Sequence, residues 1–318
     1  MNNLTTPIIP EPGGITLNYG DRVLLMGSCF TDNIGAHLEA AAFDVLCNPF
    51  GILYNPSSIA MCLQHCVEAT PITAADLVQQ QGQWHSWLHH SDFSRPTPQE
   101  TLRACNEALY RAHHFLEGCT TLIVTFGTAN VYRLKHDGRV VGNCHKVPQQ
   151  QFIRQRLAVD DIVGQWQQVI FQLPRGIQKV VFTVSPIRHW KDGAHEDQLS
   201  KSTLLLAIDR LVGRRAGHTI GYFPSYELMM DELRDYRFYA DDMLHPSSLA
   251  VDIIWQRFLS CYMGAATQQI VNKAEQLHKM QQHRPLFPDS HEYRAHQART
   301  TALERELQEL IACHRKEV

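Results

Sequence analysis

The residue types and positions around Ser28 suggest a nucleophilic site. Ser28 lies shortly after a predicted β-strand, residues 22–26, and it precedes a helix predicted to begin near Thr31. At such a junction, outward-pointing N–H groups and the helix dipole favour developing negative charge. Ser28 is therefore a candidate nucleophile, although a small residue can also serve only the turn. The neighbouring Cys29 is a rival thiol, but its side chain is expected to pack inward.

Asp242 and His245, near the other end of the chain, form a candidate general-base pair. They are three residues apart, just ahead of a predicted apolar helix at residues 249–262. Within one turn the carboxylate can accept the Nδ1–H of His245, which leaves Nε2 free to take a proton. A distant serine could complete a triad, because a triad is defined by spatial roles. The alternative is that Asp242 bonds only backbone groups and His245 merely precedes Pro246.

Several ordered motifs resemble the GSCFA family, a branch of the SGNH (GDSL-type) hydrolases. The resemblance extends from about residue 26 to about residue 248. The motifs that carry it are GSCF at 27–30, NPFGILYNP at 48–56, GTANVY at 127–132, NCHKVP at 143–148, SPIRH at 185–189 and the Asp-x-x-His pair at 242–245.

The resemblance implies a covalent acyl-enzyme mechanism. It makes Ser28, rather than Cys29, the nucleophile, with His245 as base and Asp242 as the residue that orients it. It also implies an oxyanion hole formed by the Ser28 N–H, the Gly51 N–H and an asparagine side chain. Such a site needs no metal and no organic cofactor.

The identity of the asparagine is open. The superfamily places it two residues after a glycine, whereas this chain has one residue more between Gly127 and Asn130. Asn130 is the first choice, because it follows a strongly apolar predicted strand, residues 121–126, and would emerge beside Ser28. Asn143 is the rival donor. The alternative for Asn130 is a turn asparagine at the start of a hairpin.

Two polar segments are candidates for substrate binding. Arg188 and His189 follow a buried predicted strand, residues 180–184, while Asn143 and His145 belong to a second polar loop. If both loops converge on the nucleophile, the pocket would favour an anionic or phosphate-bearing substrate. The alternative is a set of solvated loop charges.

The histidine-rich segment at residues 84–90 raises the question of a metal. His85 and His89 could share a helix face, but Trp84 and Trp87 also suit a strand, and no HExxH pattern accompanies them. We therefore predict structural or substrate-contacting histidines and no metal site. The segment is a candidate wall of the substrate pocket.

Composition is that expected of an enzyme with a large core. The chain has 318 residues, 44% of them hydrophobic, and a formal net charge of −3. This charge offers no general field for nucleic acid, and no apolar run is as long as a membrane span. The start of the sequence lacks the features of a signal peptide, and nine cysteines are scattered without a paired framework. We expect a cytoplasmic protein with reduced thiols.

Strand and helix patterns alternate along the chain and predict an α/β fold. We expect a mainly parallel sheet with helices on both faces, an SGNH or flavodoxin-like three-layer sandwich, with one hairpin turning at residues 136–138. Residues 1–262 would form the catalytic domain, with an insertion near 68–118. Residues 263–318 would form a helical C-terminal extension, whose apolar stripe could cover the domain or form a homodimer.

These features together predict a serine ester hydrolase that acts on a small-molecule or glycan ester. By analogy with the superfamily, the substrate would be an acylated carbohydrate or an envelope precursor. An acyltransferase of the same mechanism and a non-catalytic ligand-binding module on the same fold are the alternatives.

Overall fold

The computed structural model describes residues 6–287 and 289–317 of the chain. Its strands are β1 (Arg22–Gly27), β2 (Asp44–Cys47), β3 (Leu77–Gln80), β4 (Gln83–Ser86), β5 (Thr121–Phe126), β6 (Asn130–Leu134), β7 (Val140–Val141), β8 (Phe152–Arg156), β9 (Lys179–Val184), β10 (Gly213–Arg215) and β11 (His218–Phe223). Its helices are α1 (Cys29–Ala40), α2 (Pro56–Glu68), α3 (Pro98–Glu117), α4 (Val159–Gln172), α5 (Ala194–Leu211), α6 (Ser225–Glu227), α7 (Ser248–Tyr262), α8 (Ala265–Gln281) and α9 (His291–Glu317).

The central sheet has six strands in the order β10-β11-β9-β5-β1-β2. Its pairs are parallel except for β10 with β11, which is antiparallel. The five parallel strands therefore follow the flavodoxin-like order, in which the direction of strand addition reverses between β1 and β5. Ligands bind at such a reversal, beyond the carboxyl ends of the strands.

Alternation along β1 shows how the sheet is covered on both faces. Leu24 and Met26 pack into a core with α2, α3, α4 and α5, whereas Val23 and Leu25 pack into a second core with α1, α7 and α8. Successive side chains of a strand point to opposite faces, so a strand that is apolar throughout must be covered twice. The predicted three-layer α/β sandwich is thereby confirmed.

The structure differs locally from the sequence-based expectation. Helix α1 begins at Cys29, two residues before the predicted start. The predicted hairpin gains a third strand, because β6 pairs with both β7 and β8. A second hairpin, β3 with β4, lies in the segment predicted as an insertion, but α3 from the same segment packs into the central core. The domain boundaries themselves stay a prediction.

The apolar stripe of the C-terminal helix α9 is covered by this chain. Leu307 is buried in the core that includes α7 and α8, and Leu303, Leu310 and Ile311 pack against that core. The stripe therefore stabilises the fold from within one chain, and dimerisation through it stays a prediction. Within residues 6–287 and 289–317, no helix combines the length and the hydropathy needed to cross a membrane.

Candidate active site

A tight turn after β1 brings the GSCF motif to the carboxyl edge of the sheet. Gly27 has φ +152°, and a Cβ there would lie 2.3 Å from the carbonyl oxygen of Thr125 on the neighbouring strand. Only glycine fits this close approach. The turn is held by the Gly27 N–H, which donates to Asn48 Oδ1 over 2.8 Å, and by the Leu53 N–H, which donates to the Gly27 carbonyl over 2.9 Å.

Cys29, not Ser28, faces the catalytic histidine predicted from the sequence. The distance between Cys29 Sγ and His245 Nε2 is 3.8 Å, within hydrogen-bonding reach for a thiol. Cys29 is the first residue of α1, and its side chain is partly exposed in a pocket that His245 also lines. The side chain also packs against the core that includes α1, α7 and α8, so the expectation that it packs inward is met in part.

Ser28 is placed differently. The residue is only 1% exposed, and among the described residues its Oγ has no hydrogen-bond partner although it is buried. It stands at the N-cap position of α1 but makes no side-chain capping bond. Among the described residues, no hydrogen bond therefore joins the Ser28 hydroxyl to His245.

Asp242 and His245 form the predicted pair. Asp242 Oδ2 and His245 Nδ1 are 2.5 Å apart, and Asp242 Oδ1 accepts the N–H groups of Leu244 and His245, each over 2.9 Å. Met243 has φ +60°, which closes the loop so that both carboxylate oxygens are used. The backbone donors, followed by the imidazole, lower the pKa of Asp242 to about 2. A carboxylate at Nδ1 leaves Nε2 as the acceptor that faces Cys29.

The surroundings of the Cys29 thiol keep it protonated until a base acts. Burial raises the pKa of the thiol, and the nearby Asp32 carboxylate raises it further. The N–H groups of Cys29 and Phe30 and the charge of Lys201 act in the opposite direction and favour the thiolate. These N–H groups belong to the first turn of a helix and have no partner within it, so they can also receive an oxyanion.

The oxyanion donor expected from Gly51 is not offered to the pocket. Its N–H donates to the Asn48 carbonyl over 2.7 Å. A Cβ at Gly51, where φ is +74°, would lie 2.3 Å from the Cβ of His90, so this glycine serves a close packing contact. The predicted role of Gly51 is therefore replaced by a structural one.

Both candidate asparagines line the pocket. Asn130 Nδ2 lies 3.3 Å from Thr128 Oγ1, and Asn143 Oδ1 accepts the His145 N–H over 2.9 Å, which leaves its amide nitrogen available. The choice between the two as oxyanion donor stays open on these contacts.

The pocket has a volume of about 370 Å³ and lies at the reversal point of the sheet. Cys29 follows β1 and Thr128 follows β5, the two strands between which the order reverses. The lining residues come from loops at this edge: Cys29, Tyr54, Asn55, Thr128, Asn130, Tyr132, Val141, Gly142, Asn143, Cys144, Arg154, Ile187, Arg188, His189, Lys191, Asp192 and His245.

Strand pairing forms a wall of this pocket that the sequence did not predict. Tyr132 lies two residues after Asn130 on β6, hence on the same face of the strand. Arg154 of β8 pairs with Tyr132 in the antiparallel register, and its guanidinium forms an ion pair with Asp192. The two-residue spacing of Asn130 and Tyr132 could have predicted that both face the pocket. No feature of the β8 sequence predicts that Arg154 lies beside them.

Arg188 and His189 line the pocket as predicted substrate-binding candidates. Arg188 Nε forms an ion pair with the buried Asp197, whose other oxygen accepts the His189 N–H over 2.9 Å. The His189 ring meets the Tyr54 ring edge-on, with 5.7 Å between centroids. Burial lowers the pKa of His189 to about 4, so its imidazole is neutral near pH 7.

His145 is not at the pocket surface. It is 4% exposed, its ring stacks on His85 with centroids 4.5 Å apart, and its Nε2 donates to the Ser86 carbonyl over 2.8 Å. Its predicted contact with substrate is therefore replaced by a role in anchoring the loop that carries Asn143.

The histidine-rich segment packs behind the pocket. His85 lies on strand β4, and His89 stacks on Phe50 with centroids 4.3 Å apart while its Nδ1 lies 2.9 Å from Ser86 Oγ. Residues 84–90 do not contribute to the pocket lining described above. Across residues 6–287 and 289–317, no three His, Cys, Asp or Glu side chains are grouped to hold a metal ion.

Comparison with known proteins places the chain in a family. A comparison with curated proteins gives no match. Among solved structures, a carbohydrate esterase of family 3 from Talaromyces cellulolyticus has a TM-score of 0.35 and 10% identity, with 79% of this chain and 98% of that chain covered. The sequence profile of the GSCFA family matches residues 22–258. This match covers most of the chain and every residue of the candidate triad, and the chain therefore belongs to the GSCFA family.

Proposed function

We propose that this protein is an SGNH-type acyl hydrolase that cleaves ester bonds with Cys29 as the nucleophile, His245 as the general base and Asp242 as the orienting residue. The observation that carries the proposal is the chain of contacts from Cys29 Sγ to His245 Nε2, 3.8 Å, and from His245 Nδ1 to Asp242 Oδ2, 2.5 Å. The order nucleophile, base, orienting carboxylate is that of a catalytic triad.

The proposed reaction proceeds through a thioester. His245 Nε2 takes the thiol proton while Sγ attacks the carbonyl carbon of the ester, and a tetrahedral oxyanion forms. The bond to the alcohol oxygen then breaks, and His245 returns the proton to the leaving alcohol. Water, deprotonated by His245, attacks the thioester, so that the carboxylic acid and the free thiol are released.

The proposed oxyanion hole combines the Cys29 N–H with the side-chain amide of Asn130. The Cys29 N–H opens α1, where the helix dipole also favours negative charge. Asn143 is the rival donor, since it also lines the pocket and it is its amide oxygen, not its nitrogen, that bonds the His145 N–H.

An acylated carbohydrate suits the proposed site. The lining combines the rings of Tyr54 and Tyr132 with the amides of Asn55, Asn130 and Asn143. Aromatic faces and side chains that both donate and accept hydrogen bonds match the alternating apolar faces and hydroxyl groups of a sugar.

Two adjacent substitutions test the proposal. Cys29→Ala should abolish hydrolysis of p-nitrophenyl acetate and of a peracetylated sugar, whereas Ser28→Ala should retain activity within about threefold, since its hydroxyl does not reach the base. Iodoacetamide should label Cys29 with loss of activity, as located by mass spectrometry of the peptide.

The opposite activities of the two variants would make Ser28 the nucleophile. If Ser28→Ala is inactive, Cys29→Ala is active and a fluorophosphonate labels Ser28, the proposed nucleophile is wrong. If the wild-type protein turns over neither ester, the non-catalytic reading of the fold replaces the hydrolase.

A further inference from the structure

Helix α5 carries three polar side chains on one face, and all three are buried beside the pocket. Asp197, Ser200 and Lys201 are 2%, 1% and 0% exposed, respectively. Their spacing of three and four residues places them together on a helix. Buried polar groups on a helix face that should be apolar require a reason, because each must be hydrogen-bonded to offset the loss of water.

Lys201 joins the ends of two central strands. Its Nζ donates to the carbonyl of Gly127, which follows β5, and to the carbonyl of Ser185, which follows β9, each over 2.8 Å. The ring of Tyr226 lies 5.5 Å from the ammonium and provides a further favourable contact. The ammonium therefore fixes the distance between two strand ends from which the pocket loops depart.

The other two residues of the α5 face bind the same two loops. Ser200 Oγ accepts the Ala129 N–H over 2.8 Å and lies 3.0 Å from Thr128 Oγ1. Asp197 accepts the His189 N–H over 2.9 Å and pairs with Arg188. The loop after β5 leads to Asn130, and the loop after β9 carries Arg188 and His189.

We propose that Lys201 is a positioning residue that sets the oxyanion donor Asn130 and the Arg188/His189 wall relative to Cys29. This inference rests on the proposed function. Lys201 lies on the far side of both loops and is absent from the pocket lining, so it acts through the backbone that it holds. An apolar side chain of similar length would fill the space but leave both carbonyls without their donor.

Burial has a second effect on Lys201. It lowers the pKa of the ammonium to about 7, and the Asp197 carboxylate opposes this by raising it. The positive charge in turn favours the thiolate of Cys29. A buried ammonium is costly to maintain, and its two carbonyl contacts and the carboxylate offset that cost.

The chain offers a matched control at the opposite end of the sheet. Lys179 begins β9, and its Nζ lies 2.7 and 2.8 Å from the two carboxylate oxygens of Asp21, just before β1. It also is a largely buried ammonium that ties strands together, but at their amino ends. Lys179→Met should therefore lower stability without altering the pocket.

The first experiment compares Lys201→Met with Lys179→Met in hydrolysis of p-nitrophenyl acetate. Lys201→Met should lower kcat by about 10-fold or more with KM changed by less than about threefold, whereas Lys179→Met should keep both parameters within about twofold. If the Lys201 variant is poorly soluble, Ser200→Ala replaces it and should lower kcat by a smaller factor. Wild-type kcat in both α5 variants would overturn the proposal.

A double-mutant cycle separates positioning from general weakening. If Lys201 acts through Asn130, the Lys201→Met/Asn130→Ala protein should lose hardly more kcat than the worse single variant. If the loss of kcat in the double variant equals the product of the two single losses, Lys201 does not act through Asn130.

Amide hydrogen exchange gives a readout that does not depend on activity. Lys201→Met should speed the exchange of Ala129 and His189, whose N–H groups bond to α5, and Lys179→Met should not. Unchanged exchange of both amides in Lys201→Met overturns the positioning role, even if the protein is an active esterase. Faster exchange in a protein whose wild type has no esterase activity supports the positioning role and overturns the proposed function alone.

Discussion

Three histidines that the folded protein holds without charge make the stability of this fold sensitive to mild acid. Burial lowers the pKa of His89 to about 3 and the pKa values of His145 and His189 to about 4. In the unfolded chain each imidazole has a pKa of about 6.5. Between these values the unfolded state binds more protons than the folded state, so the free energy of unfolding falls as the pH falls.

The size of the effect follows from the number of protons taken up. One group that is protonated only on unfolding changes the free energy of unfolding by about 1.4 kcal/mol per pH unit, and three such groups by about 4 kcal/mol per unit near pH 5. A typical domain has a total stability of about 5–15 kcal/mol. The three histidines should therefore lower the free energy of unfolding by roughly 5 kcal/mol between pH 6.5 and pH 5, which is enough to unfold a domain at the lower end of this range.

Other groups modify this slope in known directions. Burial also lowers the pKa of His37, which adds to the loss of stability in acid. Burial raises the pKa of Glu227, which opposes part of it, because the folded state then holds a proton more strongly than the unfolded chain does. Asp242, with a pKa of about 2, contributes stability that is lost only at lower pH.

Urea unfolding at half-unit steps from pH 7.5 to pH 5 measures the slope. His145→Gln should lower the slope by about 1.4 kcal/mol per pH unit. The matched change of His114, whose side chain is 72% exposed, serves as the control at a solvent-exposed histidine. A wild-type free energy of unfolding that varies by less than about 1 kcal/mol between pH 6.5 and pH 5 would refute the reasoning.

Four further outcomes concern the site and its turn. Asp242→Asn should lower kcat by about 10²-fold or more, measured with p-nitrophenyl acetate, because the imidazole loses the acceptor that orients it. The wild-type rate should fall in acid, because only a neutral imidazole can accept the proton of the nucleophile; a flat profile from about pH 5 to 8 would argue against a histidine base. Asn130→Ala should lower kcat by about 10²-fold at similar KM while Asn143→Ala has a smaller effect, and the reverse ranking would make Asn143 the donor. Gly27→Ala should lower thermal stability, seen as a reduced Tm by calorimetry, because its methyl group would meet the Thr125 carbonyl; an unchanged Tm would contradict the need for glycine.

Much of the sheet could be predicted because its strands are short apolar runs between helical patterns. A run such as residues 121–126, which has no charged residue and is buried at every position, is typical of a strand covered on both faces in a parallel sheet. The contact between Asp242 and His245 could also be predicted, since both residues lie in one local turn. Arg154 reaches the pocket because β8 pairs with β6. This pairing could not be predicted, because the local sequence of a strand does not determine which strand it pairs with.

The buried polar residues of α5 could not be predicted for a different reason. Its three polar residues interrupt an otherwise helical apolar pattern, and on sequence alone a polar residue in a helix is most simply placed in solvent. Their burial depends on carbonyl and N–H groups of loops that follow β5 and β9. The burial of Lys201 is explained by its bonds to the carbonyls of Gly127 and Ser185. Those two residues are adjacent only because of the strand order of the sheet, which the sequence of α5 does not show.

The choice between Ser28 and Cys29 depends on where α1 begins, a boundary that sequence patterns define only to within two or so residues. With α1 beginning at Cys29, Ser28 occupies the N-cap with extended backbone and a buried hydroxyl. An N-cap serine usually accepts an N–H from the first turn; here it does not, and the N–H groups of Cys29 and Phe30 face the sulfur instead. The same two-residue shift therefore leaves the thiol 3.8 Å from His245 Nε2 and beside the first N–H groups of the helix, so that the proposed nucleophile and the proposed oxyanion donor both depend on where α1 begins.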